Sequence, residues 1–177
     1  MDISNITPFE TIYDRFLSKI TDDMYLELTL EDTMKDLQAI LLNSIPKFQF
    51  PRFPLYNYTP AIRPLETETE EPDVIRQPYY NCLLTMEEVD ILAELMLIEW
   101  LGRQIASVEN TRMKYSGSDF KFTSQANHLD KLLKLQDSMT TVNVRRQRLY
   151  KRRRTTSDGM IESNLSVLAK GVLSGNS

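Results

Sequence analysis

The sequence contains one cysteine, Cys82, one histidine, His128, and only 5 glycines among 177 residues. A disulfide needs two thiols and a zinc site needs several Cys or His ligands, so we expect neither, and no Cys–His catalytic couple. His128 is expected to be a structural or surface residue. No phosphate-binding loop, dinucleotide fingerprint or nucleophile elbow is present. We therefore expect no metal, no cofactor and no enzymatic activity.

Uninterrupted apolar runs are also missing. The longest apolar stretch, "VDILAELMLIEWLGRQIASV", is broken by Asp90, Glu94, Glu99 and Arg103. Such charges exclude a lipid-facing span, so the stretch predicts a core helix and no membrane partner. The N-terminal "MDISNITPFE" is acidic and polar where a signal peptide would be basic and then apolar, so we expect no export.

Positive charge is scarce outside one segment. The chain has 21 basic and 25 acidic residues, a net charge of −4, and residues 145–154 hold seven of the basic side chains. The rest of the chain keeps 14 basic and 25 acidic residues, a difference of −11. Any attraction to nucleic acid must therefore be local, because such attraction depends on clustered Lys and Arg. The basic side chains of the segment are Arg145, Arg146, Arg148, Lys151, Arg152, Arg153 and Arg154.

Apolar residues at helical spacing predict four helices, and the first three begin with capping signals. Thr7 with Glu10 starts a helix over residues 7–20, Thr29 with Asp32 starts a second that ends at Pro46, and "TMEE" starts a third that reaches about residue 113. The third helix is apolar nearly all round and should be central. A fourth begins near residue 124. The fold is expected to be mainly α, with a four-helix bundle-like core.

The C-terminal region is predicted to leave the bundle. The β-branched "TTVN", residues 140–143, weakens helix propensity, and Asp158–Gly159 is a hairpin signal between two flanking segments. We therefore divide the chain into a helical core, residues 1–142, and a basic tail or β-hairpin, residues 143–177.

A long connection, residues 46–84, joins the second and third helices, whereas bundle connections usually have about 2 to 8 residues. Its first half is rich in proline and aromatic residues, which favours an extended arm. The arm either wraps its own bundle or docks on a neighbouring subunit. Its second half contains five acids in residues 66–73 and should be solvated. The aromatic candidates for a partner interface are Phe48, Phe50, Phe53, Tyr56 and Tyr58.

Three interpretations of the basic segment stay open. It can be a solvated helix end or hairpin, or a nucleic-acid grip whose binding depends steeply on salt. It can also contact an acidic protein surface, where arginine side chains clasp carboxylates. Residues 66–73 of the same or an adjacent copy are one candidate for that surface.

Three strings resemble one known group of proteins: "ITDDMYLELTLEDTMKDLQAILLNSIPKFQFPR", "SVENTRMKYSGSDFKFTSQANHL" and "RLYKRRR". They look like the head-tail connector proteins of tailed bacteriophages, also called adaptor or neck proteins. The likeness covers about residues 12–154, with its order of capped helix, proline-rich arm, long helix, glycine turn and basic tail.

The resemblance implies a structural virion protein with no active site. Such subunits form a homo-oligomeric ring, commonly of twelve, beneath the portal protein, and they continue the DNA channel toward the tail for genome ejection. The implied partners are further copies of the chain, the portal protein, a downstream neck or tail protein and the DNA in the channel. The implied location is the virion neck, after synthesis in the host cytoplasm. The alternative function is a nucleic-acid-binding regulator or DNA-packaging accessory that uses residues 145–154.

Overall fold

The computed structural model describes residues 6–20, 24–60, 78–114, 122–155 and 161–163. It is mainly helical, which confirms the predicted fold class. The helices are α1 (Phe9–Leu17), the single turn α2 (Met24–Glu27), α3 (Leu30–Ser44), α4 (Met86–Lys114) and α5 (Phe122–Lys151). The strands are β1 (Thr7–Pro8), β2 (Tyr58–Thr59), β3 (Tyr79–Tyr80), β4 (Arg153–Thr155) and β5 (Ile161–Ser163).

The helix α4 is the centre of the bundle, as its composition predicts. Helices α1, α3 and α5 all pack against it. Burying one large aliphatic side chain is worth about 1.5–3 kcal/mol, so this helix accounts for much of the apolar stabilisation. Its buried side chains point in every direction around the axis; they include Ile91, Leu92, Ala93, Leu95, Met96, Leu97 and Ile98.

No helix in the described part of the chain is both long enough and apolar enough to cross a membrane.

Two of the predicted capping signals are confirmed. Thr29 Oγ1 accepts a hydrogen bond from the Asp32 amide at 3.2 Å and caps α3. At the start of α4, the Glu88 amide donates to Thr85 Oγ1 at 3.3 Å, and the Thr85 amide donates to the Glu88 carboxylate at 2.7 Å. This reciprocal pair is the capping box that the spacing predicts.

The third capping prediction is wrong, because Thr7 does not cap α1. The helix begins at Phe9 after Pro8, and no side chain caps it. Thr7 lies in β1, where its hydroxyl donates to the Cys82 carbonyl at 2.9 Å and accepts from the Leu84 amide at 2.8 Å. Because β1 pairs with β3, the Thr7 backbone is extended and its side chain meets the segment that leads into α4.

A small antiparallel sheet, in the order β1-β3-β2, connects the N-terminus to the arm. Thr7 pairs with Tyr80, and Tyr58 pairs with the other edge of Tyr80. The sequence analysis did not predict these strands, because a two-residue strand is too short to show alternating hydrophobicity. The strand in the proline-rich half of the arm, β2, lies at an edge, where prolines nearby are tolerated.

The expectation that the helix weakens at residue 140 is wrong, since α5 continues to Lys151. The predicted boundary at residue 143 therefore falls inside a helix, and residues 145–151 follow helical rather than strand spacing. The propensity cost of residues such as Thr or Val is at most about 0.7 kcal/mol each, which packing can outweigh. The hairpin itself is present: β4 pairs with β5 from Arg153↔Ser163 to Thr155↔Ile161. The predicted turn at residues 158–159 lies outside the described residues.

Replacing Thr7 by Val tests the observed role of its hydroxyl. The substitution keeps the shape but leaves the buried Leu84 amide without its acceptor, so we expect the free energy of unfolding to fall by about 1–3 kcal/mol. The matched control is Thr11→Val on the exposed side of α1, where the expected change is within about 0.5 kcal/mol. Urea denaturation followed by circular dichroism measures the free energy of unfolding of both variants. If Thr7→Val is as stable as Thr11→Val, the Thr7 hydroxyl does not have this role.

Candidate interaction surface

The predicted basic segment is divided between two sides of α5 and the start of β4. Arg146, Tyr150 and Arg153 reach toward α4 and bind its carboxylates. Arg145, Arg148 and Arg152 are exposed. Arg145 and Arg148 are spaced at i and i+3, which places them on one side of α5, and Arg152 follows directly after the last residue of the helix. The segment is therefore not a single patch of seven free charges.

Acidic side chains along α4 bind basic side chains from the elements that cover it. Arg153 of β4 donates to Glu87 at 2.8 and 3.0 Å, and Arg146 of α5 bridges Glu94 and Asp90. Because these carboxylates belong to the same chain, part of the predicted attraction to an acidic protein surface is satisfied internally. The remaining pairs are Arg15 with Asp90, Arg52 with Glu88, and Lys47 with Glu99.

Glu88 is the most enclosed of these acids, with 1% of its surface exposed. Arg52 of the arm holds both of its oxygens, from Nε at 2.8 Å and Nη2 at 2.6 Å. The Tyr150 hydroxyl of α5 donates to the same carboxylate at 2.5 Å. Together with the Thr85 cap, these bonds make one carboxylate the junction of α4, the arm and α5. A buried charge held by a two-pronged arginine and further donors is geometrically well defined.

The surroundings of Glu88 shift the pKa values of the groups that meet there. Burial alone would raise the pKa of Glu88, but the hydrogen bonds from Arg52, Tyr150 and Thr85 lower it below its ordinary value of 4.5. Burial and the bond to Glu88 raise the pKa of Tyr150. Hydrogen bonding to Arg15 likewise lowers the pKa of Asp90. Glu88 is therefore ionised at neutral pH and its charge is compensated.

A row of polar side chains joins α5 to α4. Asn143 Nδ2 donates to Glu94 at 3.1 Å, and Gln147 Nε2 donates to Asn143 Oδ1 at 2.6 Å. Gln147 also accepts from the Gln49 amide at 2.7 Å, which fastens the start of the arm. Asn143 and Gln147 are buried. We did not predict this row, although the sequence contains a signal for it. Polar residues recur at the core-facing positions of the fourth helix.

Gly102 allows the helices to approach closely at the other end of that row. Gln136 Nε2 donates to the Ile98 carbonyl of α4 at 3.2 Å. A Cβ atom at Gly102 would lie 3.0 Å from that same nitrogen. Glycine inside a helix costs about 1 kcal/mol relative to alanine, and this close contact explains its presence.

Four of the five predicted arm aromatics lie against the chain's own fold. Phe48 is buried beside Tyr150, with ring centroids 5.9 Å apart, and Tyr58 packs on Phe9 at 5.2 Å. Phe50 lies under Lys151 Nζ, which is 4.3 Å from its ring centroid, and Arg52 lies 5.0 Å from the ring of Phe53. Only Tyr56 is well exposed among them, at 66%. The described half of the arm, residues 46–60, thus packs on the chain's own bundle, with Phe48 and Leu55 buried in its core.

The exposed arginines have no ion-pair partner in the described part of the chain. Arg145 and Arg148 lie on α5, and Arg152 follows directly after it. Lys151 contacts Phe50, and Arg154 lies opposite Glu162 in the backbone register of β4 and β5. Arg145, Arg148 and Arg152 therefore remain available for contact with another molecule.

An apolar row runs beside these arginines. Leu135, Val142 and Leu149 are spaced at i, i+7 and i+14 and are 48%, 60% and 43% exposed. At 1.5 Å per residue, the row is about 21 Å long. We call these three residues, with Arg145, Arg148 and Arg152, the α5 outer face. Exposed apolar rows of this length at heptad spacing are typical of helix–helix contacts.

A groove adjoins the α5 outer face where α1 and α5 lie over α4. It encloses about 450 Å³ and is lined by Lys19, Glu94, Leu97, Ser138, Met139 and Val142. Three of the lining side chains are apolar, Leu97, Met139 and Val142, and Lys19 and Glu94 carry opposite charges. Such a groove is suited to aliphatic side chains of a partner.

Some of the other predicted features lie within the residues that the structure describes and some lie outside them. His128 is exposed, and burial raises the pKa of the Cys82 thiol. Within residues 6–20, 24–60, 78–114, 122–155 and 161–163, no group of three or more His, Cys, Asp or Glu side chains could hold a metal ion. The acidic run at residues 66–73 lies outside the described residues, as does the glycine turn at residues 116–119.

Comparison with protein-family models, with curated proteins and with solved structures finds no match to this chain.

Replacing Glu88 by Gln tests the buried junction. The substitution removes the charge that Arg52 and Tyr150 bind, and we expect a loss of about 2–3 kcal/mol in the free energy of unfolding at pH 7. The adjacent Glu87→Gln removes the more exposed partner of Arg153 and should cost less than about 1 kcal/mol. Chemical denaturation of both variants makes the comparison.

The pH dependence of stability provides a second readout of the same substitution. Because folding lowers the pKa of Glu88, its stabilisation is complete above the unfolded pKa near 4.5 and is lost as the pH falls through the folded pKa. Wild-type stability should therefore drop more steeply below about pH 5 than that of the Glu88→Gln variant. Parallel curves for the two proteins would contradict the assignment.

Proposed function

We propose that this chain is a structural subunit of a tailed-phage virion that assembles into a ring at the neck, joins the portal to the tail and continues the DNA channel. The observation that carries the proposal is the α5 outer face, an exposed apolar row beside three arginines that have no ion-pair partner among the described residues. An assembly subunit needs such a surface. The resemblance of the three quoted strings to head-tail connectors supports the same function.

The composition of the α5 outer face favours a protein over DNA as its main partner. Phosphate contacts use positive charge and hydrogen-bond donors, whereas exposed leucine and valine gain nothing from a phosphate backbone. Helix contacts use both an apolar row and flanking charges. The internal pairing of Arg146 and Arg153 further reduces the charge available to nucleic acid.

The proposal assigns the chain no catalytic step and no cofactor. Its partners are further copies of itself, the portal protein and a downstream neck or tail protein, with DNA passing through the assembled channel. The arm aromatics and the basic residues remain candidate contacts in this assembly, and Tyr56 is the arm aromatic with the most exposed surface.

Mass measurement and negative-stain imaging of the purified chain test this function. We expect a closed ring with a central opening wide enough for duplex DNA, formed by the chain alone or on the portal protein from the same genome. The mass should be an integral multiple of the 20.6 kDa chain. A chain that remains monomeric at high concentration and also fails to bind the portal would refute the proposal.

DNA binding is the second candidate, because Arg145 and Arg148 on α5 and Arg152 directly after it have no ion-pair partner among the residues that the structure describes. If it is the main function, affinity for duplex DNA should fall at least about tenfold between 50 and 200 mM salt. Arg148→Ala with Arg152→Ala should then remove most of that affinity, while Lys35→Ala on α3 should not. Fluorescence anisotropy measures both, and undetectable binding at low salt would exclude this function.

A further inference from the structure

A second exposed surface on the same chain complements the α5 outer face. It lies between α2 and α3, where Leu28 is exposed and Leu30 has 79% of its surface exposed. Glu27 and Asp32 are exposed beside them. We call these four residues the 27–32 corner. Glu31 is engaged by Lys35 at 2.7 Å, and the surface does not depend on it.

The charges of the two surfaces are opposite. The α5 outer face carries Arg145, Arg148 and Arg152, and the 27–32 corner carries two carboxylates. Asp32 accepts a hydrogen bond from the Thr29 hydroxyl at 2.7 Å, which holds its carboxylate at the start of α3. Arginine side chains bind carboxylates through paired hydrogen bonds, so the two surfaces can form charge-assisted contacts.

Their apolar parts also match. The α5 outer face has aliphatic side chains in a row and adjoins a groove that Leu97, Met139 and Val142 help to line. The 27–32 corner has two leucines, Leu28 and Leu30, which are 38% and 79% exposed. Leucine side chains inserted into that groove would remove apolar surface from water on both partners. The opposite charges would then lie at the edge of the contact.

We infer that the α5 outer face of one copy binds the 27–32 corner of a second copy. Leu28 and Leu30 pack along Val142 and the groove, with the arginines beside Glu27 and Asp32. This inference rests on the proposed ring function and names the surfaces that form the ring. Because the two surfaces consist of different residues, the contact is head-to-tail, which closes into a ring when the rotation between copies permits.

Two variants test the contact, each disabling one surface. The face variant carries Val142→Glu and Arg148→Glu, and the corner variant carries Glu27→Lys and Leu30→Lys. All four positions are exposed, so both variants should fold, and circular dichroism checks that they do. We expect each variant alone to be monomeric, with self-association weakened about 100-fold or more.

Mixing the variants gives the decisive measurement. The face variant keeps an intact 27–32 corner and the corner variant keeps an intact α5 outer face. An equimolar mixture should therefore form a one-to-one complex that grows no further, and light scattering after size exclusion would detect it. Leu133→Glu, at an exposed leucine on a different side of α5, and Asp14→Lys on α1 serve as controls and should assemble like wild type.

Each other outcome overturns the contact. If either variant assembles like wild type, or if the mixed variants stay monomeric, these two surfaces do not bind each other. A ring formed by the wild type would still support the proposed function. If the face variant still forms rings but loses DNA affinity, the occupant of the α5 outer face is DNA. If the wild type forms no ring even with the portal, both proposals fail.

Discussion

The structure depends on covering α4, a helix whose residues 91–98 are all apolar except Glu94 and whose buried side chains lie all around its axis. Such a helix is stable only when other elements surround it. Helices α1, α3 and α5 supply the apolar cover. The cations that bind its carboxylates come from α1, the arm, α5 and β4, and they are Arg15, Lys47, Arg52, Arg146 and Arg153.

The buried carboxylate of Glu88 combines local and tertiary roles. It caps its own helix through Thr85, and it binds Arg52 and Tyr150 from segments 36 and 62 residues away in the sequence. Removing one partner of such an ion pair is destabilising, because the remaining charge stays buried without full compensation. Separating the arm from the bundle would therefore disturb the start of α4. The aromatic side chains Phe48, Phe53 and Tyr58 of the arm lie in or against the core of the chain's own bundle.

The inner side of α5 packs on α4 and its outer side is exposed, because hydrogen bonds on the inner side determine the orientation of the helix. Asn143 and Gln147 bond to α4, to each other and to the arm, which sets the rotation of the helix about its axis. That rotation in turn directs Val142, Arg145 and Arg148 outward. Buried polar contacts of this kind specify register in helix pairs. The polar contacts on the inner side of α5 thus determine which residues form the α5 outer face. Both sides belong to one continuous helix, and the boundary predicted at residue 143 falls inside it.

Local signals were enough to predict the helical class, the central position of α4, the caps at Thr29 and Thr85 and the pairing of β4 with β5, because spacing and capping depend on near neighbours. The sequence also identified the arm and the basic segment as unusual. It left open whether the arm aromatics would lie on the chain's own bundle, and it did not reveal that Thr7 would bind residues 82–84 or that α5 would continue through "TTVN". Which arginines bind α4 and which face outward was likewise decided by packing. Each of these outcomes depends on contacts between residues distant in sequence, whose energies exceed the local preferences that a single sequence displays.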